Sequence, residues 1–367
     1  MGYKLAIASM SLGRAWVHQI PQKFAAAAAA GIQGIEIFYE DLVYHASALP
    51  GGLNDENLLE AAHQFRSICD SLSLTIMGIG PFNGYEGILD PTVRAKKLVE
   101  LQLWFQIAKI VGTDIIQVPC TLMTEGVTGE QAHLVQDFRE IAELGLKQEP
   151  VIRFAYENLC FGTFNDTWEK AYSLVAAVDY PNFGMCLDTF NITGREWADP
   201  ASPTGCVPNA DAVFAASLQK MVQTIDPKKV FYVQIVDAER LAKPLDETHE
   251  FHVDGQKPRM SWSRNCRLFM CEEERGGYLP VVDCLKAICD GIGYEGWISI
   301  ELFNRTLVDA GEHVPLQHAE RGVKSWAKLV PIMGWENRLE EQRTSTSTAR
   351  PAVAPVERKE VENLARL

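Results

Sequence analysis

The 367-residue sequence has no uninterrupted apolar stretch of the ~20 residues that a membrane-spanning helix needs. Its longest apolar run, Ala25–Ala30, is built of alanine. The N-terminus also lacks the pattern of a secretory signal, because the single early Lys4 is followed by residues typical of a strand. We therefore expect a cytoplasmic protein with no membrane partner.

Positive charge and cysteine motifs are also scarce. Lys and Arg number 34 against 48 Asp and Glu, a net charge of −14. Such a surface repels phosphate backbones, so we expect no nucleic-acid partner. The nine cysteines are scattered without a CxxC pair, which favours reduced core residues over a disulfide framework or a zinc site. No Walker loop, GxSxG or HExxH motif is present.

Eight short apolar runs alternate with segments of helical periodicity. Little strict alternation occurs within the runs, as expected of parallel strands buried on both faces. The predicted strands are Lys4–Ser9, Gly34–Phe38, Leu74–Ile79, Asp114–Val118, Ile152–Glu157, Phe183–Asp188, Val230–Ile235 and Trp297–Leu302. The predicted helices are Pro21–Ala30, Asn54–Ser71, Thr92–Ile110, Gly129–Leu146, Thr167–Ala177, Ala210–Thr224, Val281–Asp290 and His318–Leu329.

Eight strand–helix repeats predict an α/β fold, a single (β/α)₈ TIM barrel over residues 1–335. The polar composition of residues 336–367 predicts a solvated tail. Two connections, 192–209 and 237–279, are long and leave the carboxyl ends of strands. Because barrel active sites are built at that end, we expect both connections to serve function.

Oxygen-bearing side chains terminate four successive predicted strands. Glu157, Asp188 and Glu301 supply three carboxylates, and Gln234 supplies an amide. Three converging acids need a counter-charge, since like charges in a partly buried site cannot all stay ionised. An all-oxygen site favours Mg²⁺ or Mn²⁺ over zinc, which prefers nitrogen and sulfur ligands. The sequence therefore predicts a divalent metal site at the carboxyl ends of the strands.

Other polar residues are candidates for substrate contacts or proton transfer. Glu36 and Gln117 occupy comparable strand positions and could bind substrate or support the metal ligands. His252, on the long loop after the seventh strand, is either a solvated residue or a general acid or base. Arg264 and Arg267 suit an anionic substrate, although a structural ion pair is the alternative.

Several motifs resemble those of one enzyme family across residues 3–334. They are Lys4–Gly13 (KLAIASMSLG), Gly34–Phe38 with Glu40–Leu42, Pro81–Phe82 with Tyr85–Gly87, Cys186–Phe190 (CLDTF) and Trp262–Arg267 (WSRNCR). The pattern is similar to that of 3-dehydroshikimate dehydratases, particularly the fungal quinate-catabolic type, within the xylose isomerase-like barrels.

The resemblance implies an activity and a set of site residues. It implies dehydration of 3-dehydroshikimate, a small anion, to protocatechuate in quinate or shikimate catabolism. It also implies a divalent cofactor, Mg²⁺ or Mn²⁺ with Co²⁺ as a further candidate. The family's metal ligands match Glu157, Asp188, Gln234 and Glu301, and its carboxylate-binding segment matches Ser263 and Arg267. We expect catalytic roles for Glu157, Asn191, Arg264 and His252, and substrate contacts from Ser263, Arg267, Glu36 and Asn83.

The chain departs from bacterial members of the family at three positions. Those members commonly carry His where this chain has Asn191 and Asn265, and Arg where it has Asn83. The first position is associated with catalysis, which leaves the general base open. Two alternatives to the dehydratase function stay open. One is a sugar or inosose isomerase, epimerase or dehydratase on the same barrel, and the other is a non-catalytic ligand-binding barrel.

Overall fold

A computed structural model describes residues 2–335 as a closed barrel of eight parallel strands. The barrel strands are β1 (Lys4–Ala8), β2 (Gly34–Phe38), β3 (Thr75–Gly80), β4 (Ile115–Pro119), β5 (Arg153–Glu157), β6 (Phe183–Asp188), β7 (Val230–Gln234) and β10 (Trp297–Ile300). Closure occurs at β1, where Ile7 pairs with Ile35 of β2 and with Ile300 of β10. The predicted TIM barrel is confirmed; the predicted tail, 336–367, lies outside the described residues.

Helices surround the barrel. They are α1 (Ile20–Ala30), α2 (Tyr39–Ser47), α3 (Asp55–Ser71), α4 (Pro91–Val111), α5 (Gln131–Leu146), α6 (Trp168–Val178), α7 (Thr189–Glu196), α8 (Ala210–Thr224), α9 (Pro258–Cys266), α10 (Val281–Lys286) and α11 (Val314–Ile332). Side-chain caps fix several helix starts, as where Asn54 accepts the backbone N–H of Asn57 at 2.9 Å. The sequence prediction omitted α2, α7 and α9, each short and adjacent to a strand or loop of the site.

The long connection after β7 is folded. It contains α9 and a two-stranded antiparallel ribbon of β8 (Asp237–Ala238) and β9 (Arg267–Leu268), which pair Asp237 with Leu268. Because β9 directly follows α9, the ribbon holds this helix over the carboxyl end of the barrel. This connection therefore has secondary structure of its own.

The strand interiors are buried on both faces, which explains their unbroken apolar character. No disulfide bond occurs within residues 2–335, and eight of the nine cysteines are buried, in agreement with the expected reduced core cysteines. Within residues 2–335, no helix combines the length and the apolar character required to cross a bilayer.

Candidate active site

Three carboxylates meet at the carboxyl end of the barrel. Glu157 ends β5, Asp188 ends β6 and Glu301 follows β10, so the barrel geometry brings them together. One oxygen from each lies within 4.8 Å of the others, and the residues are only 3%, 1% and 8% exposed. The structure thus groups three of the four predicted metal ligands.

The helix after β6 fixes two of these carboxylates. Asp188 caps α7, because its Oδ1 accepts the backbone N–H of Phe190 at 2.8 Å. The Asn191 amide nitrogen then donates to Asp188 Oδ2 at 2.6 Å and to Glu157 Oε1 at 2.8 Å. An amide does not titrate near neutral pH, so Asn191 in this geometry could hold the two carboxylates in place but could not itself serve as a general acid or base.

Arg267 supplies positive charge to the cluster. Its Nη1 donates to Asp188 Oδ2 at 3.0 Å and to Glu301 Oε2 at 2.8 Å, although the residue is only 2% exposed. Its Nε donates to Ser263 Oγ at 3.0 Å. The guanidinium carbon lies 4.2 Å from the Phe190 ring centre, a cation–π contact. Arg267 therefore forms the structural ion pair that the sequence left as an alternative, and it also reaches the predicted partner Ser263.

Burial and mutual repulsion shift the titration of the acids. The pKa of Glu157 lies well above its usual range because of burial, then because of the nearby Glu301 and Asp188 charges. Burial also raises the pKa of Glu301 well above the usual range, and Arg267 opposes that shift. The pKa of Asp188 is raised by burial against the same guanidinium. One guanidinium thus does not neutralise the cluster, and a divalent cation would complete its charge balance.

Glu36 and Gln234 lie beside the cluster. Glu36 Oε1 accepts the Tyr232 hydroxyl at 2.7 Å and the Gln234 amide nitrogen at 2.9 Å, while Oε2 has no hydrogen-bond partner within the described residues. Gln234 Oε1 lies 3.4 Å from Cys186 Sγ. The predicted fourth ligand therefore sits beside the cluster with its amide nitrogen on Glu36 and its amide oxygen against Cys186.

A cavity of about 200 Å³ opens above the acids. Its polar lining comprises Glu36, Asn83, Gln117, Glu157, Ser263, Arg264, Arg267 and Glu301. Apolar side chains such as Phe38, Phe161 and Phe303 complete the wall. This mixture of an apolar enclosure with a few convergent polar groups is typical of a small-molecule site.

The predicted site residues fall into two groups. Arg264 lines the cavity, donates to Gln256 Oε1 at 2.8 Å and forms no ion pair within residues 2–335. Asn83 also lines the cavity. His252 does not; its Nε2 lies 3.0 Å from Asp254 Oδ1 on the loop. The expected catalytic role of His252 therefore lacks support from its position.

One aromatic contact of the site was not anticipated from the sequence, because Phe303 lies 5.0 Å from the Arg267 guanidinium carbon. Gln117, which the sequence offered as a possible support for the metal ligands, donates to Glu157 Oε2. Phe303 follows the ligand position Glu301 by two residues, so the strand-end pattern could have identified it. Nothing in the sequence marks the pairing of Arg267 with Asp188, which lies 79 residues earlier.

Comparisons with known proteins agree with this architecture. Residues 24–329 match the family described as the xylose isomerase-like TIM barrel. The chain is 46% identical over 338 residues to the 3-dehydroshikimate dehydratase of Neurospora crassa, covering 90% of this chain and 94% of that protein.

Two longer proteins share the barrel. The 3-dehydroshikimate dehydratase of Pseudomonas putida is 28% identical to this chain over 288 residues. The aligned part is 78% of this chain and 36% of that protein. A solved structure described as a xylose isomerase-like TIM barrel/4-hydroxyphenylpyruvate dioxygenase fusion protein aligns with a TM-score of 0.69 at 27% identity, over 97% of this chain and 46% of its own. By the extent of the family match and by the closed barrel itself, the chain belongs to the xylose isomerase-like TIM barrel family.

Proposed function

We propose that this protein is a hydro-lyase that converts 3-dehydroshikimate into protocatechuate and water. The observation that carries the proposal is a small cavity that has two arginines in its wall and adjoins a cluster of three buried carboxylates, in a chain 46% identical to a fungal 3-dehydroshikimate dehydratase. The carboxylates suit a metal-assisted reaction, and the guanidinium groups suit an anionic substrate.

The reaction balances as an elimination followed by a proton shift. A base removes the proton at C4, which the neighbouring C3 ketone acidifies. The C5 hydroxyl then leaves with a proton as water, and a C4–C5 double bond forms. Transfer of a C6 proton to the C3 oxygen completes the aromatic ring. The enzyme must therefore stabilise an enolate and protonate a leaving hydroxyl.

Glu157, Asp188, Glu301 and Gln234 are the proposed ligands of a divalent cation, Mg²⁺, Mn²⁺ or Co²⁺. The oxygen donors of the three acids fit such an ion. Gln234 joins them only if its amide turns, because its Oε1 lies against Cys186. A cation bound there supplies Lewis-acid polarisation of the ketone oxygen.

Arg264, Arg267 and Ser263 are the proposed contacts of the substrate carboxylate. Arg267 uses Nε for Ser263 and Nη1 for Asp188 and Glu301. Its Nη2 therefore stays available to an anion in the cavity, and Arg264 adds a second guanidinium without an acidic partner in the described chain. Two guanidinium groups on one wall would orient the substrate ring across the three acids.

Glu36 is the proposed base for the C4 proton. It lines the cavity, and its Oε2 has no hydrogen-bond partner within the described residues. Burial raises the pKa of this carboxyl, which strengthens it as a base once it is ionised. Asn191 would hold two of the proposed metal ligands in register without transferring a proton.

The proposed partner of the protein is a small anionic substrate, and not a nucleic acid or a membrane. We place the reaction in the cytoplasm, as a step in the breakdown of quinate or shikimate. The net charge of −14 disfavours nucleic acids and anionic membranes, and Arg264 and Arg267 supply the local positive charge that a small anion needs.

The test is turnover of 3-dehydroshikimate by purified protein with Mn²⁺ or Mg²⁺, followed by protocatechuate absorbance. Sugars with an adjacent ketone and hydroxyl group but no carboxylate serve as competing substrates. We expect turnover of 3-dehydroshikimate alone. Turnover of the sugars without protocatechuate formation would instead favour the isomerase alternative.

A further inference from the structure

A further buried carboxylate lies under the loops that line the cavity, apart from the metal-ligand cluster. Glu86 is 1% exposed and lies in the segment 81–90 between β3 and α4. It accepts the Tyr156 hydroxyl at 2.7 Å, the Asn165 amide nitrogen at 2.6 Å and the backbone N–H of Thr121. No ion pair to Glu86 occurs within residues 2–335. Three hydrogen-bond donors, and no cation, thus surround this carboxylate.

The partners of Glu86 come from different loops. Thr121 lies in the segment 120–130 after β4, and Asn165 lies in the segment 158–167 after β5. The same three segments carry the cavity-lining residues Asn83, Leu122 and Phe161. One side chain therefore joins three loops that each contribute to the wall of the cavity.

We propose that Glu86 is a positioning residue that fixes this wall for substrate binding, an inference that rests on the proposed function. Tyr156 directly precedes Glu157 on β5, so its hydroxyl bond to Glu86 also restrains the end of that strand. Glu86 itself does not line the cavity and acts only through the residues it holds.

Other bonds keep the loops folded when Glu86 is changed. The backbone N–H of Thr163 donates to the Thr121 carbonyl at 2.9 Å, and the N–H of Gly87 donates to Asp137 Oδ2 at 3.1 Å. The barrel strands beneath these loops, β3, β4 and β5, are hydrogen-bonded neighbours in the closed barrel. A conservative substitution of Glu86 should therefore loosen the wall without unfolding the protein.

Glu86→Gln is the informative variant. The carboxamide keeps the shape of the carboxylate but turns an NH₂ group toward donors that need an acceptor. We expect KM for 3-dehydroshikimate to rise roughly tenfold with kcat within about threefold, the size of one lost hydrogen bond to a charged group. Affinity for Mn²⁺, measured by calorimetry, should stay unchanged.

A second substitution should rescue the first. In Glu86→Gln/Asn165→Asp the carboxylate moves to position 165, where it can accept both the Gln amide and the Tyr156 hydroxyl. We expect KM to return toward the wild-type value. Asn165→Ala removes one of the three bonds to Glu86 and also the bond from the Asn165 amide nitrogen to the Tyr156 hydroxyl at 2.9 Å. It should still raise KM less than Glu86→Gln, because the Tyr156 and Thr121 donors keep their acceptor, and it serves if that variant does not fold.

Glu272→Gln is the matched control. Glu272 is also a buried carboxylate that accepts a backbone N–H, from Phe269 at 3.1 Å, and it pairs with Arg321. None of these three residues lines the cavity. We expect this variant to lose stability with KM unchanged.

Hydrogen exchange separates this inference from the proposed function. Glu86→Gln should speed amide exchange in all three segments, 81–90, 120–130 and 158–167, whereas Glu272→Gln should not. A lowered Tm with unchanged KM and unchanged exchange would overturn the positioning role. If the wild-type protein makes no protocatechuate, the proposed function fails and exchange alone decides: faster exchange in the three segments supports the cross-link, and unchanged exchange refutes it.

Discussion

Replacing Arg267 by methionine tests how the acid cluster is balanced. The guanidinium is almost fully buried and contacts Asp188 at 3.0 Å and Glu301 at 2.8 Å. Its removal leaves two buried carboxylates without a cation, which costs about 3–5 kcal/mol. A loss of that size lowers Tm by about 4–7 °C in a barrel of more than 300 residues, because the entropy of unfolding grows with chain length.

A divalent cation should offset that loss. Because Mn²⁺ would supply charge to the same carboxylates, we expect it to raise the Tm of Arg267→Met more than that of the wild type, as measured by scanning calorimetry with EDTA or MnCl₂. Arg321→Met is the control: it also breaks a pair with a buried acid, Glu272, but away from the cluster. Equal Mn²⁺ shifts in all three proteins would refute the shared-carboxylate reasoning.

Three further predictions follow from the same contacts. Burial raises the folded-state pKa values of Glu157 and Glu301, so between the usual glutamate range and the raised values the folded protein binds more protons than the unfolded chain. The free energy of unfolding in EDTA should therefore fall as pH rises through that window. Urea unfolding at several pH values measures this, and a free energy of unfolding that rose instead would contradict it. Glu157→Gln and Asp188→Asn should each abolish Mn²⁺ binding in calorimetry while the circular dichroism spectrum is retained; normal binding in both variants would remove these residues from the ligand set. Arg264→Met should raise KM for 3-dehydroshikimate at least about tenfold, because it removes a charge-assisted contact to the substrate. Arg259→Met on the same helix should leave KM unchanged, because the Arg259 guanidinium donates to the Gly194 and Ala198 carbonyls. Equal KM values in the two variants would place the carboxylate contact elsewhere.

The strands could be predicted because their burial on both faces leaves an unbroken apolar run in the sequence. The acids at their ends could be predicted for the same reason, since the barrel closure alone brings Glu157, Asp188 and Glu301 together. Short helices were missed where the chain turns directly from a strand. Helix α7 begins immediately after Asp188, whose side chain caps it, and eight residues give too little periodicity to detect.

The partners of the site residues could not be read from the sequence. Arg267 and Arg264 differ by three positions, yet one is buried against two acids and the other faces the cavity without an acidic partner in the described chain. That difference arises because Arg267 begins β9 while Arg264 stays on α9. Glu86 is similar: its three donors come from two other loops and from strand β5, at distances along the chain that no local pattern reveals.

The most direct test of the account is formation of protocatechuate from 3-dehydroshikimate by the purified wild-type protein, first stripped with EDTA and then supplied with Mn²⁺. The account predicts no product after stripping and one protocatechuate for each 3-dehydroshikimate consumed once Mn²⁺ is restored. Absence of protocatechuate under both conditions, or undiminished turnover by protein verified to be free of metal, would contradict it.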